Sequence, residues 1–100
     1  MFNNILKEIK INILEHCTPN KFIIIGSNKD GIINNTDLDI IIIVEDQTNL
    51  PHIIKNISPS IKKLIVKYNF YISVFPIKEK HYKMQKSEFI HNIRQTGIEF

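Results

Sequence analysis

The chain has 100 residues and a formal net charge of +3, from 13 Lys and Arg side chains against 10 Asp and Glu side chains. Hydrophobic residues make up 43%, enough for a buried core, and charged residues make up 23%, too few for a disordered chain. This length predicts one small domain over residues 1–100. The mild positive charge is not that of a dedicated nucleic-acid-binding protein, so we expect no direct nucleic-acid binding, but it suits a nucleotide.

Membrane insertion and disulfide bonding are not expected. The longest uninterrupted apolar run, Ile40 to Val44, is far shorter than the roughly 20 residues that a membrane helix needs. The first ten residues lack the uncharged apolar core of a signal peptide. The single cysteine, Cys17, excludes an intramolecular disulfide. We therefore expect a soluble, cytoplasmic protein without a membrane partner.

The first half of the chain alternates apolar segments with polar breaks. Apolar residues at helical spacing predict an amphipathic helix from Phe2 to about Cys17. A short β-rich run, residues 22–25, predicts a buried strand. A polar loop, residues 27–36, separates it from residues 38–44, which are apolar on both faces and so predict a central strand.

The second half predicts more helix than strand. Pro51 is expected in the first turn of one helix, and Ser58 with Pro59 is expected to cap and begin another. The remaining predicted elements are a strand from Phe70 to Phe75 closed by Pro76, a short helix from Lys78 to Met84, a helix capped by Ser87 and ended by Gly97, and an optional edge strand at 98–100. The expected fold is α+β, a small three-stranded mixed sheet flanked by helices.

The stretch GSNKDGIINNTDLDI, residues 26–40, carries the strongest functional signal. Its connection is too short for a parallel crossover, so the two flanking strands should pair antiparallel. Gly26 and Ser27 would then lie beside Asp37 and Asp39, which share one face of their strand. Glycine lets a phosphate approach the backbone, and paired carboxylates hold Mg²⁺ together with substrate phosphates. An ordinary hairpin with solubilising acids explains the same residues piece by piece, and the hairpin is compatible with the phosphate site.

As a whole, the stretch resembles the signature of the minimal nucleotidyltransferases of the polymerase-β-like superfamily. The resemblance lies in Gly26-Ser27 after an apolar strand, in Gly31 within the loop, and in the segment Thr36 to Ile40, which contains Asp-x-Asp. It implies a nucleotidyltransferase-like core, in which Gly26 and Ser27 hold the triphosphate of ATP or a similar nucleotide. It also implies that Asp37 and Asp39 are catalytic and bind one or two Mg²⁺ ions. An arginine often follows Gly-Ser in this family, and Lys29 is expected either to replace it as the cation that faces the phosphate or to be a solvated residue at the tip of the loop.

The family's third carboxylate is the point at which this chain departs from the pattern. A crossover of some two dozen residues predicts that the third strand runs parallel to the second and starts level with the two aspartates. The residues there, 69–73, include no acid, and Tyr71 or Ser73 is expected at the third position. Glu45, Asp46 and Glu79 are expected at the far end of the sheet.

Three functions therefore remain open from the sequence. The first is a metal-dependent nucleotidyltransferase that moves a nucleoside monophosphate to a hydroxyl of a partner protein. The second is a catalytically degraded antitoxin of the same fold that binds a helical HEPN-type toxin, as the resemblance to small stand-alone members implies. The third is an unrelated small α+β domain. The missing acid favours the second over the first.

Overall fold

A computed structural model describes residues 2–25, 37–84 and 87–100, with only the backbone described for Phe2, Asn3 and Asp37. The elements follow the order α-β-β-α-β-α-α-β. Their bounds are α1 Phe2–Leu14, β1 Lys21–Ile25, β2 Asp37–Val44, α2 Leu50–Tyr68, β3 Tyr71–Lys78, α3 Glu79–Met84, α4 Glu88–Thr96 and β4 Ile98–Glu99.

The four strands form one mixed sheet in the order β3-β2-β1-β4. The strand β2 is antiparallel to β1 and parallel to β3, as the connection lengths predict. The expectation of three strands is wrong, because Ile98 and Glu99 pair with Ile24 and Ile23 and add β4 beside β1. The α+β class and the flanking helices are confirmed.

The sheet buries apolar side chains on both faces. The first face, which includes Leu38, Ile40 and Ile42 of β2, packs with the buried stripes of α1 and α2. The second face, which includes Ile41 and Ile43, packs with buried residues of α3 and α4. The four consecutive isoleucines of β2 are each at most 1% exposed. Full burial of one such side chain stabilises a fold by roughly 1.5–3 kcal/mol, so β2 is the centre of the core, as its two apolar faces predict.

Helix α2 corrects the expectation of two separate helices. It begins at the N-cap Asn49, whose side chain accepts a hydrogen bond from the His52 N–H at 3.1 Å, and it continues through Pro59. Ser58 does not cap a new helix, because its hydroxyl donates to the Ile54 carbonyl at 2.6 Å. A proline inside a helix costs about 3 kcal/mol. Burial of Ile57 and Ile61 on either side of Pro59 offsets that cost and holds the helix in one piece.

The other element boundaries shift in smaller ways. Helix α1 ends at Leu14 and not near Cys17, because the N–H groups of His16 and Cys17 both bond to the Ile13 carbonyl in a closing turn. Strand β3 does not stop before Pro76 but runs through it to Lys78. A proline fits there because β3 is an edge strand, where one missing N–H need not interrupt the sheet.

Helix α4 has the predicted caps. The Ser87 hydroxyl accepts a hydrogen bond from the Ile90 N–H at 3.1 Å, and the Gly97 N–H donates to the Ile93 carbonyl at 2.8 Å. A methyl group at Gly97 would lie 2.5 Å from Cγ2 of Ile23 and 2.6 Å from the Ile93 carbonyl oxygen. A larger residue at position 97 would therefore clash with β1 and with the end of α4. Glycine allows the chain to pass from α4 into β4 at this short distance from β1.

Within the part of the chain that the structure describes, none of the helices is both long enough and apolar enough to cross a membrane.

Candidate functional site

The second face of the sheet has two halves. The covered half consists of Ile23, Ile41, Ile43 and Ile77, which are buried together with Tyr82, Ile90 and Ile93 of α3 and α4. The open half consists of Ile25, Asp39, Tyr71, Ser73 and Phe75, which are all partly or largely exposed. Because directly paired residues on neighbouring strands share a face, the open half is where β1 ends and where β2 and β3 begin.

The register of β2 and β3 confirms the predicted neighbours of the two aspartates. Asp37 pairs with Tyr71, and Asp39 pairs with Ser73. Paired strands lie about 4.8 Å apart, and residues two apart on one strand are separated by about 6.6 Å. The backbone positions of these four residues therefore fit within a patch that one small ligand can span.

The end of β1 reaches the same patch from the other side. Ile25, the last residue of β1, pairs with Asp39 in the antiparallel ladder. Gly26, Ser27 and Lys29 lie outside the described residues, as does the side chain of Asp37. Their assignment to triphosphate binding, and that of Asp37 to metal binding, stays a prediction. What the ladder establishes is that the chain leaves β1 next to Asp39.

Hydroxyl groups occupy the positions of β3 that pair with the two aspartates. Ser73 is half-buried, and Tyr71 is 62% exposed at the start of β3. Asn69 does not belong to this strand face, because it lies before β3 as the C-cap of α2, with a left-handed backbone at φ 56°. The open half thus combines one described carboxylate, Asp39, with two hydroxyl groups.

The other acidic candidates lie at the opposite end of the sheet, as predicted. Oδ1 of Asp46 accepts the Lys80 N–H at 2.9 Å. The two oxygens of Glu79 contact separate partners, the Asn20 amide at 2.7 Å and the Lys83 ammonium at 3.1 Å. These contacts place both carboxylates in the turn region after β2 and in α3, away from Asp39.

The donors of the open half are of the kind that Mg²⁺ prefers. Asp39, Ser73 and Tyr71 offer oxygen atoms, whereas zinc sites are built mainly from nitrogen and sulfur. Among the described side chains, no group of three or more His, Cys, Asp or Glu residues is close enough to hold a metal ion. The oxygen atoms of Asp39, Ser73 and Tyr71 suit Mg²⁺ that is held jointly with a phosphate ligand. Mg²⁺ commonly takes one or two carboxylates and fills its other coordination positions from substrate and water.

Phe75 also belongs to the open half, although no sequence motif singles it out. It lies two residues after Ser73 on the same face and is 45% exposed, so Tyr71 and Phe75 place aromatic rings on both sides of Ser73 along β3. Exposed aromatic rings beside a polar group provide flat surfaces on which a ligand ring can stack. The alternation Tyr-Ile-Ser-Val-Phe was the available signal, since it puts Tyr71, Ser73 and Phe75 on one face.

Comparison of this chain with known proteins identified no relative. A scan against protein-family models, a search of curated proteins and a search of solved structures each returned no match to this chain.

Proposed function

We propose that this chain is a nucleotidyltransferase-like protein that binds a nucleoside triphosphate, with ATP as the first ligand to test, together with Mg²⁺ on the open half of the second sheet face. The observation that carries the proposal is the ladder register, in which Asp39 has Ile25 on one side and Ser73 on the other. This register brings the start of the Asp-x-Asp strand, the end of the strand before Gly-Ser, and the start of β3 into one patch.

In this proposal each candidate residue has a role, including those of the loop outside the described residues. Asp37 and Asp39 hold Mg²⁺, which, when bound, neutralises phosphate charge. Gly26 and Ser27 accommodate the triphosphate, and Lys29 adds a positive charge. Ser73 donates or accepts a hydrogen bond where a third carboxylate would stand. The rings on either side of Ser73 provide the apolar surface for the nucleobase.

Catalysis and binding make different demands on this patch. Transfer of a nucleoside monophosphate needs an acceptor hydroxyl to lose its proton, and a carboxylate on β3 would assist that step. Ser73 and Tyr71, the register partners of the two aspartates, are poor bases at neutral pH. This observation favours the second candidate function, an antitoxin of nucleotidyltransferase fold that binds a helical HEPN-type toxin without transferring a nucleotide.

Nucleotide binding is tested by titrating the protein with ATP in the presence and absence of Mg²⁺ by calorimetry. We expect binding that depends on Mg²⁺ and that weakens at least about tenfold, or ~1.4 kcal/mol, in Asp39→Asn because one carboxylate ligand is lost. Asp46→Asn is the matched control. It makes the same change roughly 20 Å away along the strand direction, and its amide oxygen can still accept the Lys80 N–H.

Equal binding by Asp39→Asn and wild type, or no Mg²⁺-dependent binding at all, would contradict the proposed site. The two functions are then separated with labelled ATP and the product of any adjacent gene for a helical protein. Label that moves to this partner, and that Asp39→Asn abolishes, supports the enzyme. A stable complex without label, unchanged by the same substitution, supports the antitoxin that acts by contact.

A further inference from the structure

The outer edge of β3 is a strand edge with which none of the described strands pairs. All eight residues of β3 pair with β2 on its inner side, and no strand in the described part of the chain pairs with its outer side. Edge strands expose backbone N–H and C=O groups, and proteins commonly block them with charged residues or proline. Here Pro76 and Lys78 stand at the end of the strand, whereas the first five residues, Tyr-Ile-Ser-Val-Phe, carry neither device.

A groove runs beside these same five residues. It has a volume of about 320 Å³ and lies between Tyr71–Phe75 and one side of α2, where Ile54, Ile57, Ile61 and Lys62 line it. Ile54 is 44% exposed and Ile65, which also lines the groove, is partly exposed, so this part of the apolar lining is accessible to a ligand, whereas Ile57 and Ile61 are buried. The stretch of β3 that can accept a further strand is therefore also the stretch that has an apolar groove for that strand's side chains.

The positive charge of α2 indicates that a segment bound in the groove should carry a negative charge. The helix contains four lysines and no acidic residue over 19 positions. Lys67 bonds to Glu8 of α1 at 2.8 Å, whereas Lys62 lines the groove and is exposed. A segment lying in the groove gains most from a carboxylate near Lys62. A second copy of this chain, paired edge to edge about a two-fold axis, would instead bring two lysine-rich helices together, which is unfavourable.

We propose that the outer edge of β3 binds an extended segment of a partner protein, apolar at alternate positions and carrying an acidic residue that meets Lys62. The segment joins the sheet as a fifth strand beside Tyr71–Phe75, with its apolar side chains against the exposed parts of Ile54 and Ile65. Backbone hydrogen bonds supply affinity in this kind of recognition, and side-chain pockets supply specificity. The interaction uses Lys62 and the backbone edge of Tyr71–Phe75, whereas the proposed nucleotide site uses Asp39 and side chains of the same strand. The two proposals share this strand, but their deciding variants, at Lys62 and at Asp39, lie in different places.

The test uses synthetic nine-residue peptides of alternating valine and threonine, with a fluorescent label and one glutamate that is moved through the sequence. Fluorescence anisotropy should detect saturable binding for at least one glutamate position. The same peptide with lysine in place of glutamate, or with a central proline that blocks strand pairing, should bind at least tenfold more weakly. Amide chemical shifts should change along Tyr71–Phe75 and remain unchanged along Ile98–Glu99, the opposite edge of the sheet.

The decisive variant is Lys62→Glu, with Lys63→Glu as its matched control. Both lysines are exposed and adjacent on α2, but only Lys62 lines the groove. Lys62→Glu should weaken the glutamate peptide at least tenfold and strengthen the lysine peptide, whereas Lys63→Glu should change either by less than about twofold. Asp39→Asn should bind the peptides as wild type does.

Three results overturn the proposal. The first is that no peptide binds or that Lys62→Glu has no effect on binding. The second is that the protein self-associates through Tyr71–Phe75 in sedimentation measurements, which assigns the edge to a second copy. The third is that a single-stranded RNA oligonucleotide binds in a Lys62-dependent way while no peptide does, which assigns the lysines to phosphate contacts.

Discussion

The two halves of the second sheet face use the same three strands but differ in what lies over them. In the covered half, Ile41 is fully buried and Ile43 is 1% exposed beneath α3 and α4. In the open half, Phe75 is 45% exposed although it pairs directly with Ile41, and Tyr71 is 62% exposed. The change from buried to open therefore occurs between neighbouring positions, where the cover of α3 and α4 ends.

The difference explains where polar residues are tolerated on β2. Covering Asp39 and Ser73 with another apolar helix would remove a carboxylate from water, which costs several kcal/mol unless the carboxylate is paired. Two residues further along β2, Ile41 has no such cost and gains from burial. Stability thus resides mainly in one half of the face, and the proposed ligand site lies in the other, so substitutions in the two halves should affect different measurements.

The largest expected effect compares the paired residues Ile41 and Phe75. Ile41→Ala should lower the free energy of unfolding by about 2–5 kcal/mol, because it leaves a cavity under α3 and α4. Phe75→Ala should cost less than about 1.5 kcal/mol, because nearly half of that side chain already contacts water. Urea denaturation followed by circular dichroism measures both values.

Ile40→Ala serves as the control for this comparison, because Ile40 is equally buried on the first face of the same strand. It should cost about as much as Ile41→Ala. Equal losses from Ile41→Ala and Phe75→Ala would show that the two halves are not energetically distinct.

A smaller effect is expected from placing an acid at the open position opposite Asp39. Without metal, Ser73→Asp should destabilise the protein by roughly 0.5–1 kcal/mol, because like charges lie opposite each other on paired strands. Mg²⁺ should restore this loss and should increase the affinity for ATP about tenfold, because the proposed site then gains a carboxylate ligand. Thermal unfolding with and without Mg²⁺ and calorimetry with ATP measure the two effects.

Ser73→Asn is the uncharged control for this substitution, since it changes the size of the side chain without adding charge. It should show no recovery with Mg²⁺. If Ser73→Asp gains nothing from Mg²⁺, the open half is not a metal site, and the comparison between the halves reduces to one of packing alone.

The sequence predicted the strand orientations at the site better than the course of individual elements. Connection lengths alone predicted the antiparallel and parallel pairings and a start of β3 level with the two aspartates, and the structure adds that Asp39 pairs with Ser73. The predicted ends of two elements were wrong because local rules treat Pro59 and Pro76 as boundaries. Helix α2 continues through Pro59 because Ile57 and Ile61 are buried on either side of it, and β3 continues through Pro76 because an edge strand accommodates a proline.

The extent of the covered half could not be predicted from local patterns. It depends on where α3 and α4 pack, and this follows from tertiary contacts such as the close approach of Gly97 to Ile23. The exposure of Phe75 has the same origin, since the sequence shows only that Phe75 and Ser73 share a face. The position of α4 therefore decided which isoleucines belong to the core of the second face.

The smallest expected effect lies at the rim of the covered half, where Nζ of Lys21 contacts Oε1 of Glu99 at 2.6 Å across β1 and β4. The hydrogen bond to Glu99, and then its negative charge, raise the pKa of Lys21 above its ordinary value of 10.5. The folded protein therefore holds this proton more tightly than the unfolded chain does. The stabilisation is complete below about pH 10 and is lost as the pH rises through the raised pKa.

Glu99→Gln removes the charge but keeps a side chain that can accept a hydrogen bond from Lys21. The difference in unfolding free energy between wild type and Glu99→Gln should be small at neutral pH, because both side chains are exposed, and should shrink further at high salt. It should also fall towards zero above the raised pKa of Lys21. A difference that stays constant through alkaline pH would mean that the charge of Glu99 is not what stabilises the protein. Glu99 would then act through the pairing of β4 with β1, and the rim would stabilise the protein in the same way as the covered half does.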